Sequence, residues 1–135
     1  MTTVTDMNAA QAASLWCGLL ILLLGVFAIR TVVARKKHPG AAGDDGFSEV
    51  AAAETVFGNA AQYVPVSIGT LILFYHLELP VVAIHALGAT LLAGRVIQAR
   101  GLGNPAAATS RTAGMALTFI ALFACGGILT LNAFA

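Results

Sequence analysis

Apolar residues fill four long stretches of this chain, and the charged residues lie between them. An α-helix rises about 1.5 Å per residue, so roughly 20 apolar residues cross the hydrocarbon layer of a membrane. Three of the four charge-free stretches reach that length. The remaining one, third along the chain, reaches it when it is extended to about Ala99. The charge-free stretches are 7–29, 55–77, 79–94 and 112–135.

This pattern predicts an all-α protein, a four-transmembrane-helix bundle that forms a single domain over 1–135. We expect the helices at about 12–33, 55–77, 80–99 and 112–134. The composition agrees, because 59% hydrophobic residues, 10% charged residues and a mean hydropathy of +0.87 are too apolar for a soluble domain of 135 residues. We interpret the first stretch as a membrane helix and not a signal peptide, since it is long, acidic Asp6 precedes it and no small-residue cleavage pattern follows.

The basic residues are distributed unevenly among the connections. Both termini and the second connection have none, whereas the first and third connections hold all of them. Short loops rich in Lys and Arg stay in the cytoplasm. We therefore expect the first and third loops in the cytoplasm and both termini outside. The seven residues are Arg30, Arg35, Lys36, Lys37, Arg95, Arg100 and Arg111.

The second apolar stretch opens with uncharged polar groups. Asn59, Gln62 and Tyr63 follow one another at i, i+3 and i+4, so we place them on one helix face, with Thr55 one turn earlier. Pro65 removes a backbone donor, and we expect a kink just beyond this face. Polar side chains inside a bilayer need hydrogen-bond partners.

Two interpretations of these intramembrane polar residues stay open. Asn59 and Gln62 either hold neighbouring helices together or contact a ligand. Arg95 follows directly on an apolar run, and an intramembrane arginine is either functional or paired for structure, with Glu49 or Glu54 as candidate partners on the same side. The amides and most of the arginines share one layer near the cytoplasm, an arrangement that suits an anionic or zwitterionic ligand.

Other residue types carry less chemistry. We interpret Cys17 and Cys125, both within apolar helices, as small hydrophobic residues. His76 and His85 are spaced like no metal-ligand motif, so we predict no metal site. The formal net charge of +1 gives no reason to expect a nucleic-acid partner.

Small residues in the third and fourth segments predict closely packed helices. Gly88 and Gly94 lie in the third segment, and Gly114, Gly126 and Gly127 in the fourth. Helices approach each other closely where side chains are small, so we expect a packed bundle or an oligomer.

Five motifs, in order along the chain, resemble those of one family. They are GDDGFSE at 43–49, GNAAQYVP at 58–65, HALG at 85–88, LAGR at 92–95 and RTAGM at 111–115. Together they resemble MAPEG, the membrane-associated proteins in eicosanoid and glutathione metabolism, and its bacterial branch most of all. The likeness covers about residue 43 to the C-terminus, while the first helix is similar in character alone.

The resemblance implies a homotrimer of four-helix protomers in a bacterial inner membrane. Its partners would be the other copies in the trimer, membrane lipids and a hydrophobic small molecule. In the family's enzymes glutathione is the co-substrate, bound between protomers near the cytoplasm, and an arginine early in helix four stabilises its thiolate. Arg111 matches that arginine, so the resemblance implies a glutathione S-transferase or peroxidase that acts on hydrophobic electrophiles.

The same resemblance assigns the binding residues. Asn59 and Tyr63 match a ligand-contacting asparagine and a neighbouring aromatic residue, and Arg95 matches a helix-three arginine. Either Arg30 or Arg35 takes the place of a helix-one arginine.

Three positions depart from the family's glutathione enzymes. Thr55 stands where they have an arginine, Gln62 where they have a glutamate, and Gln98 where a histidine is frequent. Gln62 remains a candidate binding residue, but two charge-assisted contacts to glutathione are lost. The alternative is therefore a non-catalytic member of the fold that binds a lipid or another amphipathic ligand.

Overall fold

The computed structural model describes residues 3–40, 48–102 and 104–135, and within those ranges every regular element is helical. Two short 3₁₀ turns, Val4–Asp6 and Pro105–Ala107, precede the first and fourth long helices. The long helices are each long and apolar enough to cross a membrane, which confirms the predicted all-α architecture with four such segments. They are α1 (Ala9–Lys37), α2 (Glu49–His76), α3 (Val81–Leu102) and α4 (Ala108–Asn132).

The first two helices begin before the predicted apolar limits because capping residues, and not hydropathy, decide where they begin. α1 begins at Ala9 because Asn8 forms a capping box, accepting from the Gln11 backbone while the Gln11 side chain accepts from the Asn8 backbone. α2 begins at Glu49, about six residues earlier than predicted, and Ser48 caps it by accepting from the Ala51 backbone. Residues 41–47 of the preceding loop, including most of the 43–49 motif, lie outside the described residues.

A tight turn joins α2 and α3. Glu78 adopts a positive φ of 54°, and the backbone N–H of Leu79 donates to the Phe74 carbonyl at 3.0 Å. The Pro80 carbonyl then accepts from Ala83 as α3 begins. We call this the turn end of the bundle. At the opposite end α1 and α3 finish and α2 and α4 begin, and we call it the basic end because all the Lys and Arg residues lie toward it.

α3 contacts each of the other three long helices and packs most extensively against α4. Two glycines make this approach possible. A Cβ atom at Gly101 would lie 2.2 Å from the Arg111 backbone nitrogen, and one at Gly114 would lie 2.4 Å from that of Gln98. The predicted close packing therefore occurs at Gly114, and also at Gly88 and Gly94. Gly126 and Gly127, in contrast, have no atom within 4 Å of a built Cβ.

α2 runs without interruption through Pro65. Just after it, the Ser67 hydroxyl donates to the Tyr63 carbonyl and the Thr70 hydroxyl to the Val66 carbonyl, both at 2.8 Å. Each hydroxyl is thus satisfied within its own helix, by the carbonyl one turn earlier. The apolar core lies mainly among α1, α2 and α3, and α4 adds Ala121 and Cys125. Its most buried large members are Leu20, Val64, Leu71, Phe74, Ile84 and Leu91.

Candidate functional site

Arg95 lies inside the bundle and contacts both α2 and α4. Arg95 is only 2% exposed to solvent. It lies about 10 Å along the helix axis from the end of α3. Nη1 donates to Asn59 Oδ1 at 2.6 Å, and Nη2 donates to the Thr118 hydroxyl. The guanidinium carbon lies 4.6 Å from the centroid of the Tyr63 ring. We call Arg95, Asn59, Tyr63 and Thr118 the Arg95 cluster.

Members of this cluster and their supports are spaced one helical turn apart in the sequence. Asn59 and Tyr63 are four residues apart, so they lie on the same side of α2. The Thr118 hydroxyl donates to the Gly114 carbonyl at 3.0 Å and accepts from Arg95. Gly94 leaves room for it, since a Cβ there would lie 2.8 Å from Thr118 Oγ1.

The guanidinium of Arg95 is bound by neutral groups and an aromatic face. The suggested partners are paired elsewhere: Glu54 lies 2.6 Å from Arg35, and Glu49 lies 3.2 Å from Lys37. Glu49 also lies 2.9 Å from His38. Amide and hydroxyl oxygens and the negative face of a tyrosine ring therefore stabilise a cation inside the bundle. The role that these contacts demonstrate for Arg95 is the joining of three helices.

Two buried polar atoms next to the cluster have no hydrogen-bond partner among the protein atoms described. One is Arg95 Nε, a donor, and the other is Gln98 Oε1, an acceptor one turn further along α3. Gln98 is 1% exposed, and its amide nitrogen lies 3.6 Å from the Met115 sulfur. Buried polar groups are almost always satisfied, so this donor and acceptor mark a polar spot between α3 and α4.

The four residues of the predicted polar face of α2 differ in their burial. Asn59 and Tyr63 are half-buried and contact Arg95, whereas Gln62 and Thr55 are exposed on the protomer surface. The Thr55 hydroxyl donates to the Ala51 carbonyl at 2.8 Å, a bond within its own helix. Gln62 is therefore separate from the cluster that its two neighbours form.

The other predicted arginines lie at the basic end and are exposed. Arg35 is already paired with Glu54. Arg30, Arg100 and Arg111 form no salt bridge with any residue that the structure describes. Arg111 is in the first turn of α4, where its backbone packs on Gly101, and it lies about 10 Å nearer the helix start than Thr118. The Arg111 backbone is thus held by packing against Gly101, while its guanidinium has no ion-pair partner among the described residues.

Two cavities open at the basic end. The larger, of about 530 Å³, lies mainly between α1 and α2, and the other, of about 370 Å³, lies between α1 and α3. Phe27, Arg30 and Ala99 line both cavities, so the Arg30 guanidinium is part of the wall of each. Glu49 lines the larger cavity, whereas the smaller one has Arg100 in its wall.

Chemistry at the turn end is limited to one notable pair. The indole nitrogen of Trp16 donates to His85 Nδ1 at 3.0 Å, and the two rings meet edge to face. Among the described residues, no three His, Cys, Asp or Glu side chains are grouped so that they could hold a metal ion. Cys17 and Cys125 are free thiols within their helices.

The sequence indicated the arginine and both α2 members of the Arg95 cluster but missed Thr118. A threonine in an apolar helix satisfies its own hydroxyl within the helix, so it carries little signal. The available sequence signal was its position one turn after Gly114, on the part of α4 that packs against the LAGR motif of α3.

Comparisons with known proteins agree with these features. A model of the MAPEG family matches residues 13–131. The inner membrane protein YecN of Escherichia coli K12 is 35% identical over 113 residues, which cover 83% of this chain and 85% of YecN. YecN of Escherichia coli O6:H1 gives the same values. No solved structure gives a significant match.

Proposed function

The chain belongs to the MAPEG family, and on that premise we propose that it is a glutathione transferase or peroxidase of a bacterial inner membrane. Its relative YecN is named an inner membrane protein. Glutathione would bind at the basic end and would react with an apolar electrophile that enters from the lipid. The observation that carries the proposal is the exposed Arg111 guanidinium, which has no acidic partner among the described residues and stands on a backbone fixed against Gly101.

The proposed role of Arg111 is to stabilise the glutathione thiolate. A cation beside a thiol favours the thiolate and lowers the pKa of the glutathione sulfur. The thiol proton passes to water, and the thiolate then attacks the electrophilic carbon. As the carbon–sulfur bond forms, the bond from that carbon to the leaving group breaks, and the leaving group departs with the electron pair of that bond. A guanidinium that is already paired would do this poorly, which is why the salt-bridged Arg35 is the weaker candidate.

The orientation we propose places the basic end in the cytoplasm, where glutathione is available. All the Lys and Arg residues lie toward that end, and such charge retains loops in the cytoplasm. Both termini would then lie outside. Accessibility of cysteines introduced at Lys36 and Thr130 to a membrane-impermeant maleimide in intact cells tests this arrangement.

We further propose a homotrimer with glutathione between protomers. Each protomer exposes large apolar side chains of α2 and α4, among them Ile72, Phe119 and Phe123, and neighbouring copies or lipid must cover them. Native mass spectrometry of the detergent-purified chain reports the number of copies. A monomer that still binds glutathione would reject the shared site.

A second candidate function is supported by the Arg95 cluster. Asn59 and Tyr63 each contact Arg95. Thr55 and Gln62 offer no charge for glutathione. A protein with these features fits a non-catalytic member of the family that holds a lipid or another amphipathic molecule.

Titration of the purified chain with glutathione separates the two candidates. For the transferase, we expect saturable binding and an ultraviolet thiolate band. Arg111→Ala should abolish the band and weaken binding about tenfold or more, because a charge-assisted contact is worth about 1.5–3 kcal/mol. Lys36→Ala is the matched control, an exposed cation at the same end. Absence of saturable binding rejects the glutathione proposal, and binding without a thiolate band favours the non-catalytic candidate.

A further inference from the structure

The smaller cavity at the basic end is a groove between α1 and α3. It holds about 370 Å³ and is open to the surroundings of the helix pair. We call it the α1–α3 groove. Its lining residues are Leu23, Phe27, Arg30, Val96, Ala99, Arg100 and Asn104.

The lining changes in character along the helix axis. On α1 it passes from Leu23 through Phe27 to Arg30, a rise of about 10 Å from apolar to cationic. On α3 it passes from Val96 to Arg100 in the same direction. The apolar part therefore lies toward the middle of the bundle and the two guanidinium groups lie at its basic end, which is the profile of an amphiphile with an anionic head.

No carboxylate of the described residues neutralises the charge in the groove. Arg30 and Arg100 make no ion pair with the residues that the structure describes, although Arg35 and Lys37 close by are paired with glutamates. Asn104 uses its side-chain oxygen to accept from the Ala106 backbone at 3.0 Å, which leaves its amide N–H groups as donors. Two guanidinium forks and an amide suit the oxygen atoms of a phosphate.

We propose that the α1–α3 groove binds the phosphate headgroup of an anionic phospholipid, with the first part of an acyl chain on Leu23, Phe27 and Val96. The apolar floor favours a lipid over a soluble phosphate. The site goes beyond the proposed transferase function, because it includes neither Arg111 nor the Arg95 cluster. Arg30 is its one residue that the family resemblance also offers as a glutathione contact. The lipid site is expected whichever candidate function holds.

The test is lipid titration of the delipidated full-length protein in detergent, followed by native mass spectrometry. Dioleoyl phosphatidylglycerol should bind with a defined stoichiometry and dioleoyl phosphatidylcholine much more weakly. The double variant Arg30→Gln/Arg100→Gln should lower affinity for phosphatidylglycerol about tenfold or more. Lys36→Gln, which removes an exposed cation outside the groove, should change it by less than about threefold.

A second variant separates the groove from charge alone. Ala99→Phe keeps every cation and fills the groove, so it should also weaken binding of phosphatidylglycerol. An unchanged glutathione titration in Ala99→Phe would show that the two sites are distinct. Thermal unfolding midpoints close to that of the wild type verify that each variant is folded.

Four results would overturn the proposal. They are equal affinity for the two lipids, equal loss in Lys36→Gln and the double variant, full binding by Ala99→Phe, and displacement by millimolar inorganic phosphate as effective as by lipid. A loss of oligomers in the double variant would instead identify the groove as a contact between copies and would also reject the lipid site.

Discussion

Arg95 and Arg100 lie on the same helix, five residues apart, and their surroundings are opposite. Arg95 is buried and is held by an amide, a hydroxyl and a tyrosine ring from two other helices. Arg100 is exposed at the mouth of a groove and forms no ion pair among the described residues. A guanidinium that neutral groups bind from several sides fixes helices, whereas one left unpaired at the end of the bundle is available to an anion.

This contrast gives a structural role to a residue whose position in an apolar helix also predicts ligand binding. An arginine within an apolar helix is a reasonable candidate for ligand binding. In this protein the contacts of Arg95 are all internal, so its measurable effect should be on stability. The exposed arginines should affect ligand binding and leave stability nearly unchanged.

The largest expected effect follows from removal of the buried arginine. Arg95→Ala leaves the Asn59 and Thr118 oxygens without their donor and opens a cavity, so we expect the free energy of unfolding to fall by about 3 kcal/mol. Reversible unfolding in mixed detergent micelles, followed by circular dichroism, measures the change. Arg100→Ala is the matched control on the same helix and should change stability by less than about 0.5 kcal/mol. Equal losses in the two variants would contradict the contrast.

The helices themselves could be predicted from the sequence because membrane spans are defined by the absence of charge. Their ends could not, since Asn8 and Ser48 extend α1 and α2 through hydrogen bonds that hydropathy does not record. The side on which each polar residue lies depends on helix rotation. Packing sets that rotation, so the sequence could not show that Asn59 is half-buried whereas Gln62, three residues later, is exposed.

The layer that holds the Arg95 cluster was predictable, because topology brings the start of α2 and the end of α3 to one end of the bundle. The pairing itself was not. Asn59 was one of several acceptors available to Arg95, and the choice among them depends on how α3 packs against α2, while the close contact of α3 with α4 brings Thr118 to it. Gly101, which allows part of that contact, appeared in the sequence as a loop residue because the apolar run had ended before it.

The next largest effect concerns this helix contact. Gly114→Ala places a methyl group about where the Gln98 backbone lies, with 2.4 Å between the new Cβ and the Gln98 nitrogen. α3 and α4 must separate, and we expect a loss of about 1–3 kcal/mol in the same unfolding assay. Since Arg95 binds Thr118 across this contact, the variant should also weaken the cluster.

Gly126→Ala is the control for that substitution. It lies in the same helix with no atom within 4 Å of the new Cβ, and the gain in helix propensity should leave stability unchanged or raised by up to about 1 kcal/mol. A loss in Gly126→Ala as large as in Gly114→Ala would mean that the cost arises from the membrane environment and not from the approach of α3.

The smallest expected effect is that of the paired arginine at the basic end. Arg35 donates to Glu54 at 2.8 Å through Nε, yet the Arg35 side chain is 63% exposed and that of Glu54 35%. Water and salt screen such a pair, so a double-mutant cycle with Arg35→Gln and Glu54→Gln should give a coupling energy of about 0.2–1 kcal/mol, reduced further at high salt. A coupling as large as the loss in Arg95→Ala would show that exposure does not separate the structural arginine from the others, because a solvent-facing pair would then stabilise the bundle as strongly as the buried cluster.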